Sequence, residues 1–158
     1  MTTSRVPAII DYLIAEFTAA ATLGAATPPV LVFDGPVVTA APAPLALYVG
    51  VDDVFTDGGV TSAEAEQSGT GLAAKREELV TIHCAAVAWA GTDDMKTVRT
   101  SAYAIAAAVE DLVRADASLP AGVQQRPGVT GMVLQQNSAD GSTAQVAFQI
   151  QYKTFIGV

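Results

Sequence analysis

The sequence predicts an α+β domain, in which a mainly antiparallel sheet of about four to five strands carries two helices packed on one face. Three observations predict this class. A long run of strand-forming residues at 79–89 leads through an acidic turn into an alanine-rich helical segment that ends at about Arg114. The C-terminal residues alternate as a hairpin, and the N-terminal residues carry a helical apolar stripe. The length of 158 residues fits one domain spanning 1–158.

An amphipathic helix is predicted over about 5–21. Ser4 is a favourable N-cap, and Pro7 falls in the first turn, where its missing N–H costs little. The helix should end near Gly24, because Pro28 and Pro29 prevent continuation. Its apolar stripe consists of residues spaced three and four apart, namely Val6, Ile9, Ile10, Leu13, Phe17 and Ala20.

Two short strands follow, at 30–33 and 45–51, separated by a proline-rich extended segment. Residues 52–75 then contain several acidic residues and glycines but almost no large apolar side chain. A connection of this length is uncommon inside a compact domain and tends to be functional or disordered. We therefore expect 52–75 to be a flexible loop.

The strand at 79–89 has two different faces. Alternate residues on one face are apolar throughout and suit burial under helices: Val80, Ile82, Cys84, Ala86 and Ala88. The other face includes Thr81, His83 and Trp89 and is expected to be available to a partner. Asp93 or Asp94 should cap the following helix, whose predicted core stripe is Val98, Ala102, Ile105, Val109 and Leu112.

The C-terminal hairpin is predicted to join strands at 129–136 and 142–154 through an Asp140-Gly141 turn. One face of its second strand is apolar and should join the core, with Ala144, Val146, Phe148, Ile150 and Tyr152. The opposite face carries Gln145, Gln149 and Gln151 and is expected to be solvated. Both predicted helices would then cover a single face of the sheet.

Few residues are available for catalysis or metal binding. The chain has one histidine and one cysteine, adjacent in a strand and therefore on opposite faces, and no HxxxH, CxxC or GxSxG spacing. The acidic pairs Asp52-Asp53, Glu77-Glu78 and Asp93-Asp94 fit loop, strand-entry and capping positions. We predict no catalytic, cofactor-binding or metal-binding residues, and hence an interaction protein. The alternative, an enzyme or ligand-binding domain, would require a closed pocket of perturbed carboxylates.

The net charge of −8 opposes binding to phosphate, which disfavours sequence-independent nucleic-acid binding and attachment to anionic membranes. No stretch reaches the roughly 18 apolar residues that a membrane span needs. With acidic residues interrupting its apolar N-terminal stretch, the chain is expected to be soluble and made in the cytoplasm.

Four segments, in this order, resemble a known family: VPAIIDYL at 6–13, VFDGP at 32–36, LYVGVDD at 47–53, and IHCAAVAW at 82–89 followed by an acidic turn and an alanine-rich helix. Together they resemble the tail terminator proteins of long-tailed phages that infect actinobacteria. The resemblance covers nearly the whole chain and lies in the order and spacing of the segments. Other head–tail connector and tail-completion subunits share related folds and are the alternative.

The resemblance implies a structural virion protein with no cofactor. Its subunits would form a homohexameric ring that caps the tail tube, ends tail polymerisation and joins the tail to the head-side connector or stopper protein. The chain would be made in the host cytoplasm and reside at the head-proximal end of the tail, where DNA passes through the ring without specific binding. The residues expected to meet a neighbouring subunit, the tube or the connector are Asp52, Asp53, Asp57, Thr81, His83, Trp89, Gln145, Gln149 and Gln151.

Overall fold

The computed structural model describes residues 3–37, 43–55, 59–69, 76–115, 123 and 127–157. These residues form three helices and six strands. In chain order the elements are α1 (Val6–Ala19), α2 (Ala21–Gly24), β1 (Leu31–Asp34), β2 (Leu45–Val49), β3 (Ala63–Gly69), β4 (Arg76–Ala90), α3 (Met95–Ala115), β5 (Gly128–Asn137) and β6 (Ser142–Ile156). The predicted α+β class is confirmed, with one strand more than expected.

The antiparallel pair of β4 and β6 lies at the centre of the sheet. The two strands are paired over their whole length, from Arg76 opposite Ile156 to Ala90 opposite Ser142. The strand order is β1-β2-β4-β6-β5, and β3 also pairs with β4. β1 is parallel to β2, and the other pairings are antiparallel. Both central strands extend beyond the predicted 79–89 and 142–154.

One edge of β4 is shared by two strands that meet at His83. β3 pairs with β4 up to Ile82, and β2 pairs with it from Cys84 onward. The His83 N–H donates to the Ser62 carbonyl oxygen at 3.0 Å, and the His83 carbonyl oxygen accepts from Gly50 N at 2.7 Å. Gly50 has a φ of 83°, which favours glycine, and the chain leaves the sheet there. This is why β2 ends at Val49 and not at the predicted residue 51.

The core lies between one face of the sheet, here called the helix face, and the helices α1 and α3. The predicted apolar sets of β4 and β6 are both buried on this face. On α3 the stripe is as predicted except at its end, where Val113 is buried and Leu112 is only partly buried. The helical residues that complete the core are Ile9, Leu13, Phe17, Leu23, Val98, Ala102, Ile105, Ala106, Val109 and Val113.

The helix ends differ slightly from those predicted. The helix predicted over 5–21 is two helices, because Ala20 has an extended backbone (φ −68°, ψ 116°) that separates α1 from α2. α2 ends at Gly24 as predicted. At the start of α3, the Asp94 carboxylate accepts a hydrogen bond from Thr97 N at 3.1 Å, and hydrogen bonds from Thr97 lower the pKa of Asp94.

The prediction of a flexible loop over 52–75 is wrong for residues 63–69, which form β3, and residues 56–58 and 70–75 lie outside the described part of the chain. Every residue of β3 after Ala63 is exposed, so the strand lacks the apolar alternation by which strands are recognised. It is held by backbone pairing with β4 over seven register positions, Ala63 to Gly69. Asp57 lies outside the described residues.

Candidate interaction surface

The face of the sheet opposite the helices, here called the outer face, brings together most of the predicted interface residues. Thr81 lies directly opposite Gln151, and His83 lies opposite Gln149. Gln145 lies opposite Val87 farther along the same two strands. The predicted placement of these side chains on one face is confirmed by the register.

The expectation that helices cover one face and leave the other bare is wrong for one half of the outer face. Ala85 and Val87 are buried there together with Ala46 of β2. Partly buried side chains pack against these three residues, namely Phe33, Ala43, Tyr48 and Val54. Phe33 and Tyr48 are stacked, with ring centroids 5.1 Å apart. A second, small apolar cluster therefore occupies the half of the outer face next to β1 and β2.

Gln145 is buried and serves the fold, which corrects its assignment to a solvated interface. Its side chain is 0% exposed. The Gln145 Oε1 atom accepts from Val54 N at 2.7 Å, and Nε2 donates to Asp53 Oδ1 at 3.3 Å and to Gln135 Oε1 at 2.5 Å. Gln145 thus ties the segment after β2 to the outer face and to β5.

Asp52 and Asp53 accept hydrogen bonds from backbone N–H groups in the segment that leaves β2. The Asp52 carboxylate accepts from Thr61 N at 2.9 Å, and the Asp53 carboxylate accepts from Phe55 N at 2.8 Å. Both residues are half-buried. The Asp53 bond spans two residues and stabilises a turn, whereas the Asp52 bond spans nine residues and holds Thr61 near the end of β2.

His83 and Trp89 also make contacts within the chain. His83 is only 9% exposed, and its Nε2 lies 3.5 Å from Glu64 Oε1 on β3. The Trp89 Nε1–H donates to the Asp140 carbonyl oxygen at 2.9 Å, which ties the end of β4 to the β5–β6 turn. His83 is therefore largely enclosed by the chain, whereas Trp89 is half-buried.

The outer-face residues that remain accessible lie toward the β3 end and the β5 edge. Gln151 is exposed, whereas Thr81 and Gln149 are half-buried. Sequence reasoning missed Met132 and Val133 of β5, which are 40% and 55% exposed. The sequence signal that could have found them is Gly131, because a glycine inside a strand often marks a bulge. In the structure its φ is 66°, and the pairing of β5 with β6 shifts register there.

The two carboxylates of the Glu77-Glu78 pair have different surroundings. Glu77 pairs with Lys153 at 3.1 Å, whereas Glu78 is 0% exposed and accepts hydrogen bonds from Arg5 N at 2.8 Å and Gln67 Nε2 at 3.0 Å. Neighbouring strand residues point to opposite faces, so the two carboxylates cannot act on one substrate. Burial raises the pKa of Cys84 to about 12, which disfavours the nucleophilic thiolate.

Within the described ranges, no group of three or more His, Cys, Asp or Glu side chains is placed to hold a metal ion. None of the described helices is long and apolar enough to cross a membrane.

Neither a protein-family profile nor a curated protein matches the sequence. A similar fold is found in a chain of the solved structure of the virion of a native gene transfer agent particle. The superposition covers 96% of this chain and 99% of that chain, with a TM-score of 0.64 and 15% sequence identity. At this identity the likeness shows the fold, which is shared over essentially the whole of both chains.

Proposed function

We propose that the chain is a structural virion protein of the tail terminator type. Its subunits form a ring that caps the tail tube, ends tail polymerisation and joins the tail to the head-side connector or stopper protein. The observation that carries the proposal is the fold likeness to a chain of a gene transfer agent virion over 96% of this chain. The order of sequence segments that resembles tail terminators supports the same assignment.

The geometry of the sheet supports an assembly role. β3 is exposed along almost its whole length, and β5 presents Met132 and Val133 to solvent. Edges of this kind accept a further strand from a partner. The Glu78 carboxylate and the Cys84 thiol are both buried within the fold. In the described part of the chain, exposed strand edges are therefore better candidates for function than these two groups.

The charge of the chain suits a ring through which DNA passes. The net charge is −8, and β3 adds exposed Glu64 and Glu66 to the accessible surface. Acidic surfaces repel phosphate and lower the residence of DNA on them. We therefore propose that DNA passes the ring without specific binding.

A second candidate is another head–tail connector or tail-completion subunit. The similar chain belongs to a complete virion, and its fold alone does not distinguish between subunits at the junction of head and tail. The two candidates differ in what happens to tail length. A terminator limits growth of the tube, whereas a connector only joins finished parts.

The test is to inactivate the gene for this chain in the particle that encodes it and to measure tails in electron micrographs. A terminator defect gives tubes of abnormal and variable length that are not joined to heads. Tubes of normal length that remain unjoined would support the connector candidate. Normal, joined particles would refute both candidates. Complementation with the wild-type gene, and immunogold labelling at the head-proximal end of the tail, are the controls.

The ring itself is tested by native mass spectrometry of the purified protein at several concentrations, alone and with isolated tail tubes. We expect a hexamer, at least on tubes. A strict monomer under all these conditions would refute the ring.

A further inference from the structure

Three strands lie at edges of the described sheet, β1 and β3 on one side and β5 on the other. Among the described residues β5 pairs only with β6, and β3 pairs only with β4. Across the sheet the order at this end is β3-β4-β6-β5, and each neighbouring pair is antiparallel. β3 and β5 therefore run in opposite directions within one subunit. A rotation about an axis inclined to the strands by well under a right angle keeps the sense of each strand along that axis, so it would bring β3 of one copy beside β5 of another in antiparallel orientation.

The edge of β5 lacks two of the usual protections against strand pairing. The segment Gly128–Asn137 contains no charged residue and no proline, although charges and prolines are how exposed edges are normally protected. Val133 is 55% exposed on the outer face, and the bulge at Thr130/Val133 is the one irregularity of this strand. Such an edge favours pairing with another strand.

The charges of the two edges favour unlike edges over like ones. Glu64 and Glu66 project from β3 on the outer face, because they lie opposite Thr81 and Leu79 of β4. Pairing of β3 with β3 would place these carboxylates near one another, which is destabilising. Pairing of β3 with the uncharged β5 avoids that repulsion.

The stagger of the two edges fits a closed ring. Glu66, at the centre of β3, lies opposite Leu79 of β4, which in turn lies opposite Lys153 of β6. Val133, near the centre of β5, lies opposite Ala147 of β6. The centres of the two edge strands are therefore offset along β6 by the distance from Lys153 to Ala147. This offset is roughly 20 Å along the strands at about 3.4 Å per residue. Four strand spacings of about 4.8 Å separate β3 from the β3 of the next subunit, or roughly 19 Å. For β3 to overlap fully with β5 of the next subunit in a closed ring, the strands must be inclined at about 45° to the ring axis. Closed sheets adopt such an inclination.

We propose that β3 of each subunit pairs antiparallel with β5 of the next copy, so that one continuous sheet passes around the ring. The partner is a second copy of this chain, and the contact is heterologous, as ring closure requires. In this arrangement Glu66 lies close to Val133 of the neighbouring subunit on the outer face. The inference rests on the proposed ring and specifies how it is joined.

The test introduces charge at position 133. Val133→Glu places a carboxylate beside Glu66, whereas Val133→Lys places an ammonium group there. We expect Val133→Glu to weaken each junction about threefold to tenfold relative to Val133→Lys, and Glu66→Lys to restore assembly of Val133→Glu. The readout is the fraction of isolated tail tubes capped by rings, together with the hexamer fraction in native mass spectra. Tyr103→Glu and Tyr103→Lys, at an exposed position of α3, are the matched controls, and unchanged melting temperatures verify folding.

Each outcome decides a different point. If Val133→Glu and Val133→Lys reduce ring assembly equally, and Glu66→Lys does not restore assembly of Val133→Glu, the pairing of β5 with β3 is overturned. That result would indicate contact between two β5 edges. Wild-type assembly by both variants would overturn any role for β5. If the wild-type chain forms no ring on tubes, the proposed function fails first. The difference between the two variants should also shrink in about 1 M salt, where the Debye length falls to about 3 Å.

Discussion

The Gln145→Ala variant should unfold at a markedly lower denaturant concentration than the wild-type chain. Gln145 is 0% exposed, and its amide group makes three hydrogen bonds, to Val54 N, Asp53 Oδ1 and Gln135 Oε1. Each neutral hydrogen bond contributes about 1 kcal/mol net, and a buried group left unpaired costs about 1–3 kcal/mol. Because Val54 and Asp53 are half-buried, water can relieve part of that cost. We expect a loss of about 2–4 kcal/mol.

This loss is large compared with a typical domain stability of about 5–15 kcal/mol. With a urea m-value of about 2 kcal/mol/M, the midpoint should fall by about 1–2 M. The assay is equilibrium urea unfolding followed by the fluorescence of Trp89, with far-ultraviolet circular dichroism as the second probe. Gln151→Ala is the matched control, because Gln151 lies on the same face of the same strand but is exposed. If the two variants unfolded at the same urea concentration, the hydrogen bonds of the buried Gln145 amide would not stabilise the fold.

Three further predictions concern single residues. Gly141→Ala should destabilise the fold by about 2 kcal/mol or more, because φ is 91° and an added Cβ would lie 2.4 Å from a backbone carbonyl oxygen; Gly128→Ala, which meets nothing within 4 Å, is the control in thermal unfolding. Glu78→Ala should cost about 2–3 kcal/mol through its lost buried hydrogen bonds, whereas Glu77→Ala, at a partly exposed ion pair, should cost less than about 1 kcal/mol, and equal effects in urea unfolding would contradict this. Cys84, with its pKa raised to about 12, should not react with a thiol reagent at pH 8 until denaturant is added; labelling of the native protein at the rate of the unfolded chain would show that the thiol is accessible.

The parts of the fold that follow from apolar periodicity could be predicted from the sequence. Alternation gave the faces of β4 and β6, and the spacing from Val98 to Val109 gave the buried stripe of α3. β3 could not be found in this way, because its residues beyond Ala63 are exposed and only backbone pairing identifies it. Strand pairing of this kind depends on a partner distant in sequence, which local patterns do not report.

The predicted placement of Thr81, Gln145 and Gln149 on one face of the sheet was correct, but the predicted exposure of Gln145 was wrong. Gln145 alternates with apolar residues as a solvated side chain would, yet the segment after β2 crosses over it and buries it. In the same segment the Asp52 and Asp53 carboxylates accept hydrogen bonds from the Thr61 and Phe55 N–H groups. A polar side chain on an outward face is buried when a distant segment supplies its hydrogen bonds, and no nearby residue signals this.

The register between β4 and β6 has a mechanical consequence. The two strands face each other without a shift at every position from Arg76 to Ala90. A force that pulls one strand along the axis of the other would load the whole ladder of hydrogen bonds at once, in shear, instead of opening the bonds one after another. The chain is thus built to resist tension along its central strands far better than peeling from the β5–β6 turn, and the Trp89 indole, bonded to the Asp140 carbonyl oxygen, fastens the end at which peeling would start.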